Sequence, residues 1–162
     1  MKRVFLAAVV LLPLFMGIAL YQFQESKMSF SDGSQQSWDQ MQGKWIIVNF
    51  FAEWCKPCLK EIPELNKFNK KAYKMNAPLI GISYDPLTDE QILDLVKRYD
   101  IDFPILLGKE KVELPAPWPR ALPTTYIFSP DGKLVKKMMG EQTYYSLKKT
   151  IIYLNKEYKT GP

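Results

Sequence analysis

Histidine is missing from all 162 residues of the chain, and cysteine occurs only twice, at Cys55 and Cys58. Without an imidazole no Ser-His or Cys-His catalytic pair can form, and HExxH metalloprotease and Cys2His2 zinc motifs are excluded. A C-x-x-C-H haem attachment fails as well, because Leu59 follows Cys58. Two thiolates are half of the four ligands that a structural zinc ion takes, so no metal site is assigned. Excess charge is also scarce: 22 Lys and Arg against 17 Asp and Glu give +5, and Lys2 and Arg3 supply two of it, leaving +3 elsewhere. Cations are interspersed with acids, as in GKEKVE, which favours a solvated surface over a phosphate-binding patch, so no nucleic acid is assigned as a partner. Repeats and low-complexity tracts are absent. With 47% apolar residues, 162 residues suffice for one domain with a sizeable core.

What is present begins with MKRVFLAAVVLLPLFMGIALYQFQ, two cations followed by an uncharged run from Val4 to Gln24. The 18 residues from Val4 to Tyr21 can just span a hydrocarbon core of roughly 30 Å. Leu20 and Tyr21 carry the apolar run past the small-x-small site Gly17-Ile18-Ala19, so the segment reads as a retained anchor rather than a cleaved leader. Residues 1–23 are assigned to this signal anchor and 24–162 to a single domain. The cations stay on the cytoplasmic side, which places the domain outside the cytoplasm, where disulfides persist.

The domain reads as β-α-β-α-β-β-α. Gln24 to Gly43 is polar and turn-rich, a linker leading into a short edge hairpin. WIIVNFF, Trp45 to Phe51, is a near-continuous apolar run and predicts a central strand covered on both faces. Leu59, Ile62, Leu65, Phe68 and Ala72 share one face of a helix from about Lys56 to Tyr73. LIGISY supplies the next strand, and Thr88 with Gln91 forms a capping box for a helix with Ile92, Leu95, Val96 and Tyr99 on its apolar stripe. TTYIF and KLVKKMM flank the turn SPDG, and Leu147, Ile151, Leu154 and Tyr158 mark a closing helix. Gly108 to Pro123 is irregular, with prolines at 115, 117, 119 and 123.

The cysteines lie in FFAEWCKPCLKEIP, Phe50 to Pro63, between a buried strand and a helix start. C-x-x-C alone also occurs in zinc knuckles and haem sites, but in a β-α-β context it reads as a thioredoxin-like redox centre. A purely structural bridge across two residues would stabilise little. Cys55 precedes the helix, where unpaired amides and the positive dipole end favour a thiolate, so it is the expected exposed nucleophile. Cys58, one turn further in, is the expected buried resolving thiol. Lys56 adds a cation beside Cys55, or simply faces solvent. Pro57 fixes the first helical turn.

The motif, the element order, LPTTYIF and the helix proline Pro63 resemble the thioredoxin superfamily, and within it the membrane-anchored extracytoplasmic branch called TlpA/ResA/DsbE-like. The resemblance covers about Ser29 to Tyr158 and fades across Gly108 to Arg120. It implies an α/β thioredoxin-like fold with a central mixed β-sheet flanked by helices. It also implies that Pro123 is a cis proline facing the cysteines, with the backbone beside Leu122 free to dock an extended substrate segment. Asn49 stands where thioredoxins carry a buried acid, and is expected to satisfy a backbone group instead. Glu61 matches the acid of the anchored branch and is the candidate proton acceptor, its alternative being a solvent-exposed helix glutamate. Trp54 is expected to cover the disulfide. Trp118, in the proline-rich loop, either borders the cysteines and selects the partner or lids the core.

The implied function is a thiol-disulfide oxidoreductase needing no cofactor beyond the Cys55–Cys58 disulfide. It would be anchored in the bacterial inner membrane and face the periplasm. The branch mostly reduces disulfides of exported proteins, often cytochrome c precursors, and is recharged by a membrane-embedded thiol reductase. Cys-Lys-Pro-Cys lacks the histidine found between the cysteines of the strongest oxidants, which favours reduction, whereas a lysine beside the nucleophile pulls toward oxidation. Oxidase or isomerase activity, or a non-enzymatic copper- or partner-binding module, are the alternatives. Copper would be held through the soft thiolates of Cys55 and Cys58, whereas Met138 and Met139 lie in a predicted strand where core packing is the better explanation.

Overall fold

The computed structural model describes residues 27–108 and 114–160. The expected membrane segment, Val4 to Tyr21, lies outside them. Among the described residues no helix is long and apolar enough to cross a membrane.

A central strand forms where β-branched and aromatic residues run together. β3, Ile46–Phe51, has all six residues buried and lies inside a four-stranded sheet. It pairs in parallel with β4, Leu79–Ser83, and antiparallel with β5, Thr124–Phe128, which pairs antiparallel with the edge strand β6, Leu134–Met139. The turn between β5 and β6 places Gly132 at φ +77°, a conformation open to glycine at no steric cost. Gly81 in β4 is needed for space instead, since a Cβ there would stand 2.4 Å from Ile105 Cδ1 and 2.9 Å from Phe103 Cε2.

Three helices follow the strands: α1, Lys56–Ala72, α2, Asp89–Arg98, and α3, Tyr144–Thr160. Their apolar stripes join Ile47, Phe51, Leu79 and Ile127 in one core, which also contains both cysteines. The capping box of α2 is present in full, with Thr88 and Gln91 exchanging hydrogen bonds. Pro63 lies inside α1 on its exposed side, where losing one ladder hydrogen bond is tolerated. The opposite sheet face buries Ile46, Val48, Phe50, Tyr126 and Phe128 beneath Met28, Phe30, Met41 and the loop around Leu114 and Ala116.

The expected short hairpin is present as β1, Met28–Ser29, and β2, Gln35–Gln36, and it joins the core, because Met28 and Phe30 are buried and Phe30 bridges to Leu106. Tyr158, expected on the buried stripe of α3, is half-exposed, with its ring edge-on to Trp45.

Candidate active site

Cys55 caps α1 in an extended conformation, with Lys56 and Pro57 as the first two helical residues. Pro57 therefore removes an amide that would have no partner within the helix. Cys55 and Cys58 form a disulfide with their Cα atoms 5.2 Å apart. Cys58 is fully buried, but Cys55 is also buried, at 5% exposure, which corrects the expectation of an exposed sulfur. The Cys55 N–H donates to the Ala52 carbonyl at 3.1 Å, which ties the bridge to the residue that follows β3. Lys56 is exposed at the same helix start.

One turn beyond Cys58, Glu61 is 2% exposed. The solvent-exposed alternative for this residue is thereby excluded. Asn49 Nδ2 donates to Glu61 Oε1 at 2.8 Å and to Thr125 Oγ1 at 3.1 Å, while the backbone N–H of Gln142 donates to Glu61 Oε2 at 2.7 Å. Asn49 thus holds the acid and does not satisfy a backbone group as its position in the sequence suggested. Burial pushes the Glu61 carboxyl up to about 7, opposed by the hydrogen bonds from Gln142 and Asn49 and reinforced by the charge of Glu141. A carboxyl that titrates near neutrality one helical turn from a buried cysteine is placed to accept and return a proton.

The motif is fixed from outside by Arg98, which the sequence did not single out, and by Tyr99, expected only as part of an apolar stripe. Arg98 from α2 ion-pairs with Glu53, and the Tyr99 hydroxyl donates to the same carboxylate at 3.0 Å. Those hydrogen bonds hold the Glu53 carboxyl below its ordinary value, that from Arg98 most. Trp54 is 66% exposed, its indole N–H bonded to Asp85 Oδ1 at 3.1 Å, so it stands at the surface beside the motif. Lys60 pairs with Glu141 at 3.0 Å on the far side. No pattern in the chain announces Thr125, Gln142, Arg98 or Asp85, because each meets its partner through the fold.

The Leu122–Pro123 bond is cis and Pro123 is buried at the head of β5. Its carbonyl accepts from the Gly140 N–H at 2.9 Å, which joins the proline to the segment leading to Gln142. Leu122 packs against both faces of the sheet's core. Trp118 sets its ring edge-on to Phe50 at 5.4 Å and Tyr84 at 6.3 Å, yet remains 43% exposed, so it packs on the core and also presents a surface. Met138 packs partly against the core, whereas Met139 is 74% exposed on the edge strand, which corrects the expectation that packing accounts for both. Among the described residues no three His, Cys, Asp or Glu side chains gather as a metal site.

A family model described as AhpC/TSA family matches residues 21–137. A thiol-disulfide oxidoreductase ResA of Bacillus cereus is 33% identical over 112 residues, which cover 69% of this chain and 64% of that protein. ResA of Bacillus thuringiensis subsp. konkukian is 32% identical over 125 residues, covering 77% and 70%. The match thus spans under two thirds of the first relative's length. Among solved structures, StoA from Bacillus subtilis superposes with a TM-score of 0.65 at 24% identity, covering 76% of this chain and 92% of that one. The exposed lipoprotein thioredoxin Etrx1 of Streptococcus pneumoniae gives 0.66 at 21% identity, covering 78% and 97%. The fold is thioredoxin-like.

Proposed function

The chain belongs to the AhpC/TSA family, and from that premise we propose that it is a thiol-disulfide oxidoreductase that reduces disulfides of exported proteins. The observation that carries this reading is the Cys55–Cys58 pair at the start of α1 with the buried, twice hydrogen-bonded Glu61 one turn beyond. In the reduced protein the Cys55 thiolate attacks one sulfur of the partner's disulfide, forming a mixed disulfide and expelling the other sulfur as a thiolate. Glu61 takes the proton of Cys58, whose thiolate then attacks the Cys55 sulfur and releases the partner's second thiolate. The partner gains two electrons, and Cys55 and Cys58 return to the disulfide. Two electrons from a membrane-embedded thiol reductase restore the dithiol.

The apolar N-terminal run, read as an anchor, supports a location outside the cytoplasm, where partner disulfides exist to be reduced. Cytochrome c precursors fit as partners through the ResA-like resemblance. Leu122 and Pro123 would receive an extended segment of the partner, and Trp54 would border it.

Reduction of insulin by the prereduced chain tests the activity. Precipitation of the released B chain is expected to need both cysteines, with Cys55→Ser and Cys58→Ser inactive. Wild-type protein that fails to reduce insulin while binding Cu(I) through the same pair would replace the enzyme with a binding module.

A further inference from the structure

On the sheet face opposite the α1 core, a cavity of about 350 Å³ opens beneath the proline-rich loop, lined among others by Trp118, Arg120, Thr124, Tyr126, Lys137 and Met139. Its walls are held in place. The Tyr126 hydroxyl donates to the Pro117 carbonyl at 3.1 Å, Thr124 Oγ1 donates to the Ala121 carbonyl at 2.8 Å, and Trp118 lies edge-on to the buried Phe50. In the register of β5 and β6, Thr124 faces Met139 and Tyr126 faces Lys137, so the floor is two cross-strand pairs. The Lys137 ammonium sits 5.0 Å from the centre of the Tyr126 ring.

The charge of this cavity is one-sided. Arg120 and Lys137 line it, and among the described residues no carboxylate does and neither cation is ion-paired. The exposed Met139 thioether and the exposed face of Trp118 add adaptable apolar surface. The cavity also adjoins the redox site. Thr124 follows Pro123, Gly140 donates to the Pro123 carbonyl, and only two residues lie between Met139 and the Gln142 that binds Glu61, at most ~11 Å of chain from one Cα to the other. Leu122 touches the cores on both sides of this ridge.

We propose that the cavity is a specificity subsite for an acidic segment, carrying an aromatic or large apolar side chain, of the polypeptide whose disulfide is exchanged at Cys55. The idea rests on the oxidoreductase reading for its purpose, but docking is measurable without chemistry. The apolar side chain enters between Trp118 and Met139, and carboxylates flanking it meet Arg120 and Lys137. A pocket whose walls are already tied by these contacts keeps the ordering cost of such a short segment low.

The test measures fluorescence anisotropy of two labelled, cysteine-free peptides of about ten residues against the oxidised protein. One carries several Asp and one Phe, and the other has Lys in place of each Asp. Roughly five- to tenfold tighter binding of the acidic peptide is expected at about 20 mM salt, with the preference shrinking at about 300 mM. Arg120→Glu with Lys137→Glu should reverse it, and the Gln pair should erase it. Trp118→Ala should weaken binding of both peptides in proportion to their shared Phe. Equal affinities for the two peptides, or a preference untouched by charge reversal, would overturn the proposal. So would a concentration-dependent dimer that the same reversal dissolves, because a second copy would then be the occupant. Exchange with the small uncharged disulfide of 2-mercaptoethanol, run in parallel, should be unchanged in the Arg120 and Lys137 variants; its absence from the wild type would count against the oxidoreductase reading, not against docking.

Discussion

Glu61 sits where a carboxylate is costly, out of water in a core of Ile62, Leu65 and Phe68, and it is tolerated because Asn49 and Gln142 occupy both of its oxygens. Its carboxyl, raised from 4.5 to about 7, binds a proton in the folded protein that the unfolded chain has lost. That contribution to stability is fully present below pH ~4.5 and is lost as pH rises through about 7, a difference of roughly 3 kcal/mol at most. Urea unfolding of the oxidised protein should therefore show stability falling from pH 5 to pH 8, and Glu61→Gln should flatten that slope. An unaltered slope would remove Glu61 as the titrating group. Asn49 works in the opposite sense, since its hydrogen bond favours the charged form. Asn49→Ala is expected to move the pH midpoint of thiol exchange above that of the wild type. A midpoint that stays or falls would mean that Asn49 only fills space.

At the scale of elements, α1 organises the site by presenting a working residue at every turn: Cys55, Cys58, Glu61 and Glu64. The last two reach the start of α3, where Glu61 accepts from Gln142 N and Glu64 accepts from Tyr144 N at 2.8 Å. An orphan amide at the α3 start is thus satisfied by a side chain from another helix. Glu64→Ala should cost about 1 kcal/mol of unfolding free energy, the usual worth of a helix cap. No measurable loss in chemical denaturation would show that water replaces it. This arrangement was not legible in the sequence, because its partners stand 80 and 81 positions apart. Local signals were legible: the β-branched run of β3, the Thr88 capping box, the SPDG turn and the apolar stripe of α1 each folded as their chemistry dictates. Met139 was misjudged for a physical reason. Successive strand residues point to opposite faces, and on an edge strand only one face of that pair found cover.

The whole molecule combines a legible chemistry with a less legible environment. The C-x-x-C, read together with the buried strand before it and the helix start that holds it, singles out the candidate reacting sulfurs. Their burial, the Asn49–Glu61–Gln142 contacts and the Glu53–Arg98 clamp required the fold, because they join positions 12, 81 and 45 apart. The consequence for function is an asymmetric pair, with Cys55 at the helix start and Cys58 sealed behind it next to the acid. Thiol exchange through such a pair passes through a covalent complex whose release depends on the inner sulfur. The direct measurement is capture in cells: membrane extracts from strains producing Cys58→Ser or Cys55→Ser, run on non-reducing gels, with mass spectrometry of the adducts. Cys58→Ser is expected to accumulate reductant-sensitive mixed disulfides with exported cysteine proteins through Cys55, while Cys55→Ser accumulates far fewer. Equal trapping by both variants, or none by either, would contradict the assignment of Cys55 as nucleophile and Cys58 as resolving thiol.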